Sequence, residues 1–313
     1  MSTKKVVTVT LNPALDLTGH LNSLNVGTVS LVNQGNLHAA GKGVNVAQVL
    51  CDLGAEVTVT GFIGTDNQEM FCQLFQKLGV NDRFIRVNGA TRINVKLVEQ
   101  SGETSDINFP GVQVTASDVQ QFETELFALA LDHDYFVIAG SLPNGVSASQ
   151  CAVWIQRLHA MGKKVFFDSS RAALKAGLDA NPWLVKPNDE ELSELVGREL
   201  KTAEQCQEAA QELADKGIEN IVVSMGSEGV MWLNNSKWFR SQPPRMEVVS
   251  TVGAGDTLVA GLCWGHMQQM DKPSLLTFAT ALSALAVSQV GVGVKSRQEL
   301  ERLQQQVKFQ QLN

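Results

Sequence analysis

The sequence predicts an α/β protein with a mostly parallel central sheet flanked by helices, plus a small antiparallel β lid. Short apolar or β-branched runs alternate with helical runs along most of the 313 residues. Such alternation means parallel strands covered on both faces. Helical runs close on glycines, as left-handed helix stops require. Two segments alone alternate apolar and polar residues with no helix directly behind them, which sets them apart from the βαβ rhythm.

VVTVTL (6–11) reads as the first strand. GVNVAQVLCDLG is a helix ending at Gly54, EVTVTGFIG a strand, and DNQEMFCQLFQKLG a helix closed by Gly79. YFVIAG, KVFFD, WLVKPN and NIVVSMG are short strands, each expected to lead through a polar or glycine turn into a helix. VSASQCAVWIQRLHAMG and TAEQCQEAAQELADKG are amphipathic at the helical period, and TLVAGLCW is a buried helix. The alternating segments are 17–37 and 91–109, the second with QSGE where a hairpin turns. Together they predict one small sheet standing off the main body, serving as a lid, as an interface between two copies, or as both. No repeat, low-complexity tract or long linker divides the chain, so residues 1–313 are expected to form one domain.

The net charge of −7 argues against a nucleic-acid partner. An anionic ligand must then be held by a few local donors. Five cysteines, at 51, 72, 151, 206 and 263, form no CxxC pair and read as reduced thiols rather than disulfides or metal ligands. Lys4 and Lys5 precede a strand, with no apolar run long enough for a signal peptide. Between Lys272 and Lys295 there is no charged side chain, the length of a membrane span. Pro273, Gln289, Gly291 and Gly293 interrupt it, which favours a buried helix, no membrane association and a cytoplasmic protein.

Open α/β sheets bind ligands in the turns at the carboxyl ends of their strands. Those turns are LNPALD with Asp16, AAGKGVN (39–45), AGSLPNG, KPNDEE, SMGSEG and STVGAGD. AAGKGVN is not a Walker loop, because Gly43 stands where Ser or Thr is needed, and no GxGxxG follows the first strand. In STVGAGD the amides of Gly253, Ala254 and Gly255 are expected to point outward at a helix N-terminus, a geometry that attracts anions. Asp256 follows at once. A carboxylate there is either a helix cap or a base that takes a proton from a hydroxyl beside a phosphoryl group held on the amides.

GAGD preceded by ST, the GKGVN turn, the N-x-x-E of KPNDEE and the S-x-G-x-x-G of SMGSEG together resemble the PfkB, or ribokinase-like, carbohydrate kinases. The resemblance spans essentially the whole chain. LNPALD, HAAGKGVNVA, TRINVKL, GSLPNGV, FDSSR, WLVKPN and STVGAGD are similar to the bacterial branch that acts on fructose 1-phosphate. It implies the ribokinase-like three-layer fold and an ATP-dependent sugar-phosphate kinase that makes fructose 1,6-bisphosphate by phosphorylating D-fructose 1-phosphate at O6. Alternatives are the family's kinases for fructose 6-phosphate or tagatose 6-phosphate, and a sugar-phosphate-binding regulator without turnover.

By the resemblance, Asp256 is the catalytic base, and Gly253, Ala254 and Gly255 form the anion hole. Asn188 and Glu191 organise Mg²⁺, largely through water. Lys186, Ser224, Met225, Gly226, Ser227, Glu228, Gly229, Thr251 and Gly255 line ATP. Asp16, Gly41, Gly43 and Asn45 hold the sugar, with Asp16 at the end of the first strand. Arg92, Asn94 and Lys96 share a strand face by their spacing, and Arg92, Lys96 and Lys42 are candidates for the acceptor's phosphate. TVSLV, near residue 30, lacks the lysine that some relatives place there. The lid is expected to join two copies as a homodimer.

Overall fold

A computed structural model describes residues 5–312. Lys4, cited above on the signal peptide, lies outside them. The first part of the chain comprises β1 (Lys5–Thr10), β2 (Ala14–Leu21), β3 (Val32–Ala40), α1 (Lys42–Leu53), β4 (Glu56–Gly64), α2 (Glu69–Leu78), β5 (Asn81–Asp82), β6 (Ile85–Val87), β7 (Ile93–Glu99) and β8 (Thr104–Asn108). Next come α3 (Ala116–Leu129), β9 (Tyr135–Ala139), α4 (Ala148–Ala160), β10 (Lys164–Asp168), α5 (Arg171–Leu178), β11 (Leu184–Val185), α6 (Asp189–Val196), α7 (Ala203–Ala214) and β12 (Asn220–Ser224). The chain then runs through β13 (Val230–Asn234), β14 (Lys237–Gln242), α8 (Ala254–Met267), α9 (Lys272–Val287), α10 (Arg297–Gln306) and β15 (Lys308–Leu312).

The large sheet runs β15-β14-β13-β12-β11-β10-β9-β1-β4-β5, with β6 also on β4. From β12 to β5 its pairs are parallel, and β12 through β15 are antiparallel. Its central strands are the apolar ones: β1, β9 and β10 bury nearly every residue. Two buried clusters sit on opposite faces, one around α1, α8 and α9, the other around α3, α4 and α7. This is the α/β architecture expected, with helices on both faces.

One expectation fails at NIVVS. No helix follows β12; a single 3₁₀ turn at Gly226–Glu228 leads into β13 and a meander. The cause is the turn itself, where Gly229 sits at φ 97 and an added Cβ would stand 2.1 Å from the Ser241 carbonyl. The DNQEMF helix likewise begins later, at Glu69, after a 3₁₀ turn over Thr65–Asn67. The uncharged 272–295 stretch resolves into α9, 16 residues ending at Val287. Among the described residues no helix is long and apolar enough to cross a membrane.

The small sheet is β3-β2-β7-β8. Only the ends of 17–37 are strand; residues 22–31 form a connecting loop, and β3 continues to Ala40. Cross-strand register puts Asp16 beside His38 and Asn94, and Lys96 beside Asp106, all on one face. Leu17, Leu37, Val95 and Ile107 share the other face by the same register. Leu17, Leu37 and Ile107 are exposed there.

Candidate active site

The turns that end the parallel strands converge on a cleft of about 470 Å³. α8 enters it from STVGAGD. Gly253 is the residue before the helix, with φ 78, a conformation glycine adopts freely. Asp256 therefore lies in the third helical position, and its carboxylate makes no capping bond. It accepts instead from Asn45 Nδ2 at 2.7 Å, across from α1. The helix-cap alternative for Asp256 is thereby removed. Burial is the main force on this carboxylate, reinforced by the nearby Asp168 charge; against the pull of Asn45, Lys42 and Lys186 they lift its pKa from 3.8 to about 6.

The anion-hole amides are arranged slightly differently from the sequence expectation. Ala254 N–H donates to the Thr251 carbonyl at 3.3 Å, so the turn claims it. Among the described residues the amides of Gly253, Gly255 and Asp256 meet no protein acceptor. These three, rather than the set containing Ala254, are the open donors beside the carboxylate.

Opposite them, β10 ends at Asp168, which is 1% exposed. Lys42 Nζ lies 3.4 Å from both of its carboxylate oxygens, and Lys186 Nζ lies 3.5 Å from one. Burial opposes the charge on Lys42, yet Asp168, Asp256 and Glu191 outweigh it and raise its pKa. No sequence expectation falls on Asp168, and Lys42 is expected at the acceptor's phosphate; the structure pairs the two inside this cleft. The available signal was the single carboxylate closing the apolar run KVFFD.

Asn188 and Glu191 also line the cleft, and they cap each other. Asn188 Oδ1 accepts from Glu191 N–H at 2.7 Å, and Glu191 Oε2 accepts from Asn188 N–H at 3.0 Å. Direct binding of a metal by both would undo this box, whereas a metal keeping its water shell needs only the carboxylate's outer oxygen. Among the described residues no cluster of three acidic, His or Cys side chains could enclose an ion. The site thus fits Mg²⁺ held through water and does not fit a caged metal.

Ser224, Gly226 and Gly229 line the same cleft. Ser227, Glu228 and Thr251 line an adjoining, more apolar one of about 650 Å³, with Pro243, Met246 and Val287. Met225 is a correction: it is buried in the core beneath the turn and faces neither cleft. Its place in the turn is set by the apolar layer below it.

Asp16 is also displaced from the sequence expectation. Pro13 follows β1 without an N–H to extend the ladder, and the chain turns into β2, so Asp16 stands on the small sheet. It accepts from Asn94 Nδ2 at 3.1 Å. Asn94 Oδ1 is buried and has no partner among the described residues. Burial raises the Asp16 pKa against the opposing pull of His38, Asn94, Arg92 and Lys96, so three potential cations surround one carboxylate. Arg92 spans the base of the sheet, donating to the Asn12 carbonyl at 3.0 Å, and Lys96 pairs with Asp106 at 3.1 Å.

Gly41 and Gly43 are required by packing. A Cβ on Gly43 would sit 2.3 Å from Thr10 Oγ1, and one on Gly41 2.8 Å from Thr10 Cγ2, so α1 rides directly on β1. Asn45, expected at the sugar, also donates to Asp256.

A buried carboxylate held by an amide, free helix-terminal amides and two lysines in one cleft are the equipment of a phosphotransferase acting on an alcohol. The chain belongs to the pfkB family of carbohydrate kinases, whose pattern it matches over residues 9–299. It is 71% identical over 310 residues to the 1-phosphofructokinase of Vibrio cholerae, covering 99% of this chain and 98% of that one. Identity to the 1-phosphofructokinase of Escherichia coli K12 is 47% over 310 residues, with 99% of each chain covered. Phosphofructokinase-2 from Escherichia coli, solved with potassium, superposes with a TM-score of 0.89 at 28% identity, covering 96% of this chain and 98% of that one.

Proposed function

We propose that this kinase transfers the γ-phosphoryl group of ATP to O6 of D-fructose 1-phosphate, giving fructose 1,6-bisphosphate and ADP. The observation that carries the chemistry is Asp256: buried, uncapped, and held by Asn45 beside three open amides. The relatives named 1-phosphofructokinase, up to 71% identical, carry the choice of sugar.

Asp256 takes the proton of the C6 hydroxyl as that oxygen bonds to the γ-phosphorus, and the bond to the bridging oxygen of ADP breaks. The Gly253, Gly255 and Asp256 amides stabilise charge on the moving phosphoryl group, the part of such reactions that positioning and electrostatics dominate. Lys186 and Lys42 supply positive charge on the facing wall. The apolar cleft beside Thr251 and the Ser224–Gly229 turn takes the nucleoside. Glu191 and Asn188 would hold Mg²⁺ through water, and the ion would there neutralise charge on the ATP phosphates.

The polar face of the small sheet closes over the sugar and keeps water out of the transfer site. Asp16 and the free Asn94 Oδ1 take ring hydroxyls, and Arg92 and Lys96 face the acceptor's phosphate. The opposite, apolar face, with Leu17, Leu37 and Ile107, covers its equivalent in a second copy and makes the protein a homodimer. It acts in the cytoplasm.

A fructofuranose ring is nearly two-fold symmetric, so its two CH₂O arms exchange with little change of shape. Steady-state kcat/KM for fructose 1-phosphate, fructose 6-phosphate and tagatose 6-phosphate, measured side by side, tests the choice. The 1-phosphate is expected to lead; a lead by either 6-phosphate reassigns the acceptor.

A further inference from the structure

Asp168 is the most buried carboxylate in the cleft, and no step of the transfer uses it. It closes β10 behind Phe166 and Phe167, both fully buried. Its carbonyl accepts from Gly140 N–H at 2.9 Å, and Ser169 Oγ bonds the Gly140 carbonyl at 2.8 Å, so the strand end is fixed to the turn after β9. A buried charge costs several kcal/mol of desolvation unless it is well paired, and here two lysines from separate elements share one carboxylate.

We propose that Asp168 is a positioning residue for the transfer: it holds Lys42 and Lys186 on one wall of the cleft and sets the electrostatic field in which Asp256 works. The inference rests on the kinase reading of the site. Lys42 comes from the first turn of α1 and Lys186 from the end of β11; without a shared anion the two ammonium groups repel and separate. Both need to meet the same chain of phosphates, so their spacing matters more than their individual reach. Asp168 lines the cleft at 1% exposed, with its carboxylate oxygens turned to the two ammonium groups.

The second consequence concerns Asp256. The groups that face it are Asn45 and Lys42 from α1, Asp168 from β10, and Lys186 beyond β11. Two ammonium groups and one amide favour its charged form, and Asp168 alone among them opposes it. Its opposition leaves Asp256 a stronger proton acceptor than the lysines by themselves would allow. The loss of that opposition trades base strength for ionisation at lower pH.

The test is the pH profile of kcat/KM for Asp168→Asn, a near-isosteric change, at saturating Mg²⁺. The acid limb is expected to move down by roughly one pH unit, the plateau to fall at least about 10-fold, and KM for ATP to rise. In the double variant Lys42→Met with Asp168→Asn, one charge of each sign leaves the surroundings of Asp256, and the limb is expected back near its wild-type position. A limb that stays in place in the single variant, while activity falls, overturns the proposal and leaves Asp168 a structural residue. Recovery of Asp168→Asn by raised Mg²⁺ also overturns it, making Asp168 a metal holder. If the wild-type protein turns over no sugar phosphate, the kinase reading itself fails, a result distinct from either of these.

Discussion

Replacing Asp256 by Asn is expected to make the protein more stable as it abolishes turnover. Ionising this carboxylate in the fold is unfavourable, because its pKa rises from 3.8 to about 6. A group whose pKa is raised on folding contributes most below its unfolded pKa, and that contribution is lost as pH rises through the folded value. About two pH units at ~1.4 kcal/mol each give about 3 kcal/mol of destabilisation at pH 8. By the same relation roughly half of that remains at pH 5, and almost none below pH 3.8. Asn at this position keeps an oxygen for Asn45 and carries no charge. For a chain of 313 residues the melting temperature should rise by about 3–5 °C at pH 8, with a smaller gain at pH 5. Paired thermal melts with and without the substitution, at both pH values, measure this. An unchanged or lower melting temperature at pH 8, or a gain that grows toward acid pH, refutes the reasoning.

Asn45→Ala removes the hydrogen bond that favours the charged form of Asp256. The acid limb of kcat/KM, expected near pH 6 in the wild type, should therefore move up, with activity at pH 7 falling about 10-fold; an unmoved limb contradicts the coupling. Gly253→Ala places a Cβ 2.6 Å from Val292 Cγ1 at φ 78. The left-handed strain of about 1–2 kcal/mol should lower the melting temperature, and the twisted turn should cost more in kcat than in KM for the sugar. Leu37→Glu charges the exposed apolar face of the small sheet; the proposed dimer predicts twice the monomer mass for the parent by light scattering and a monomer for the variant, and a parent that is itself monomeric contradicts it.

The parallel half of the fold was legible because β1, β4, β9, β10 and β12 are buried runs of apolar and β-branched residues. Helices α1, α2 and α6 also announce their ends through Gly54, Gly79 and Gly197, all left-handed. The meander of β13 and β14 was hidden, since VMWLN and KWFRSQ follow a turn whose route depends on Gly229 packing against Ser241. Asp16 was misplaced for a related reason: only tertiary structure reveals that Pro13 ends one sheet and starts another. At the site, glycine spacing and a lone carboxylate marked the turn around Asp256. The partnership of Lys42 with Asp168 joins positions 126 residues apart, which no local pattern encodes. Gly41 and Gly43 also meet a demand that no local pattern displays, a helix pressed onto a strand.

The most direct measurement is a crystal structure of the protein with fructose 1-phosphate and a non-hydrolysable ATP analogue. The C6 oxygen should lie within about 2.6–3.2 Å of the Asp256 carboxylate, with the analogue's terminal phosphate on the amides of Gly253 and Gly255. A sugar whose C6 oxygen points away from Asp256, or a terminal phosphate bound elsewhere, would contradict proton removal by this residue.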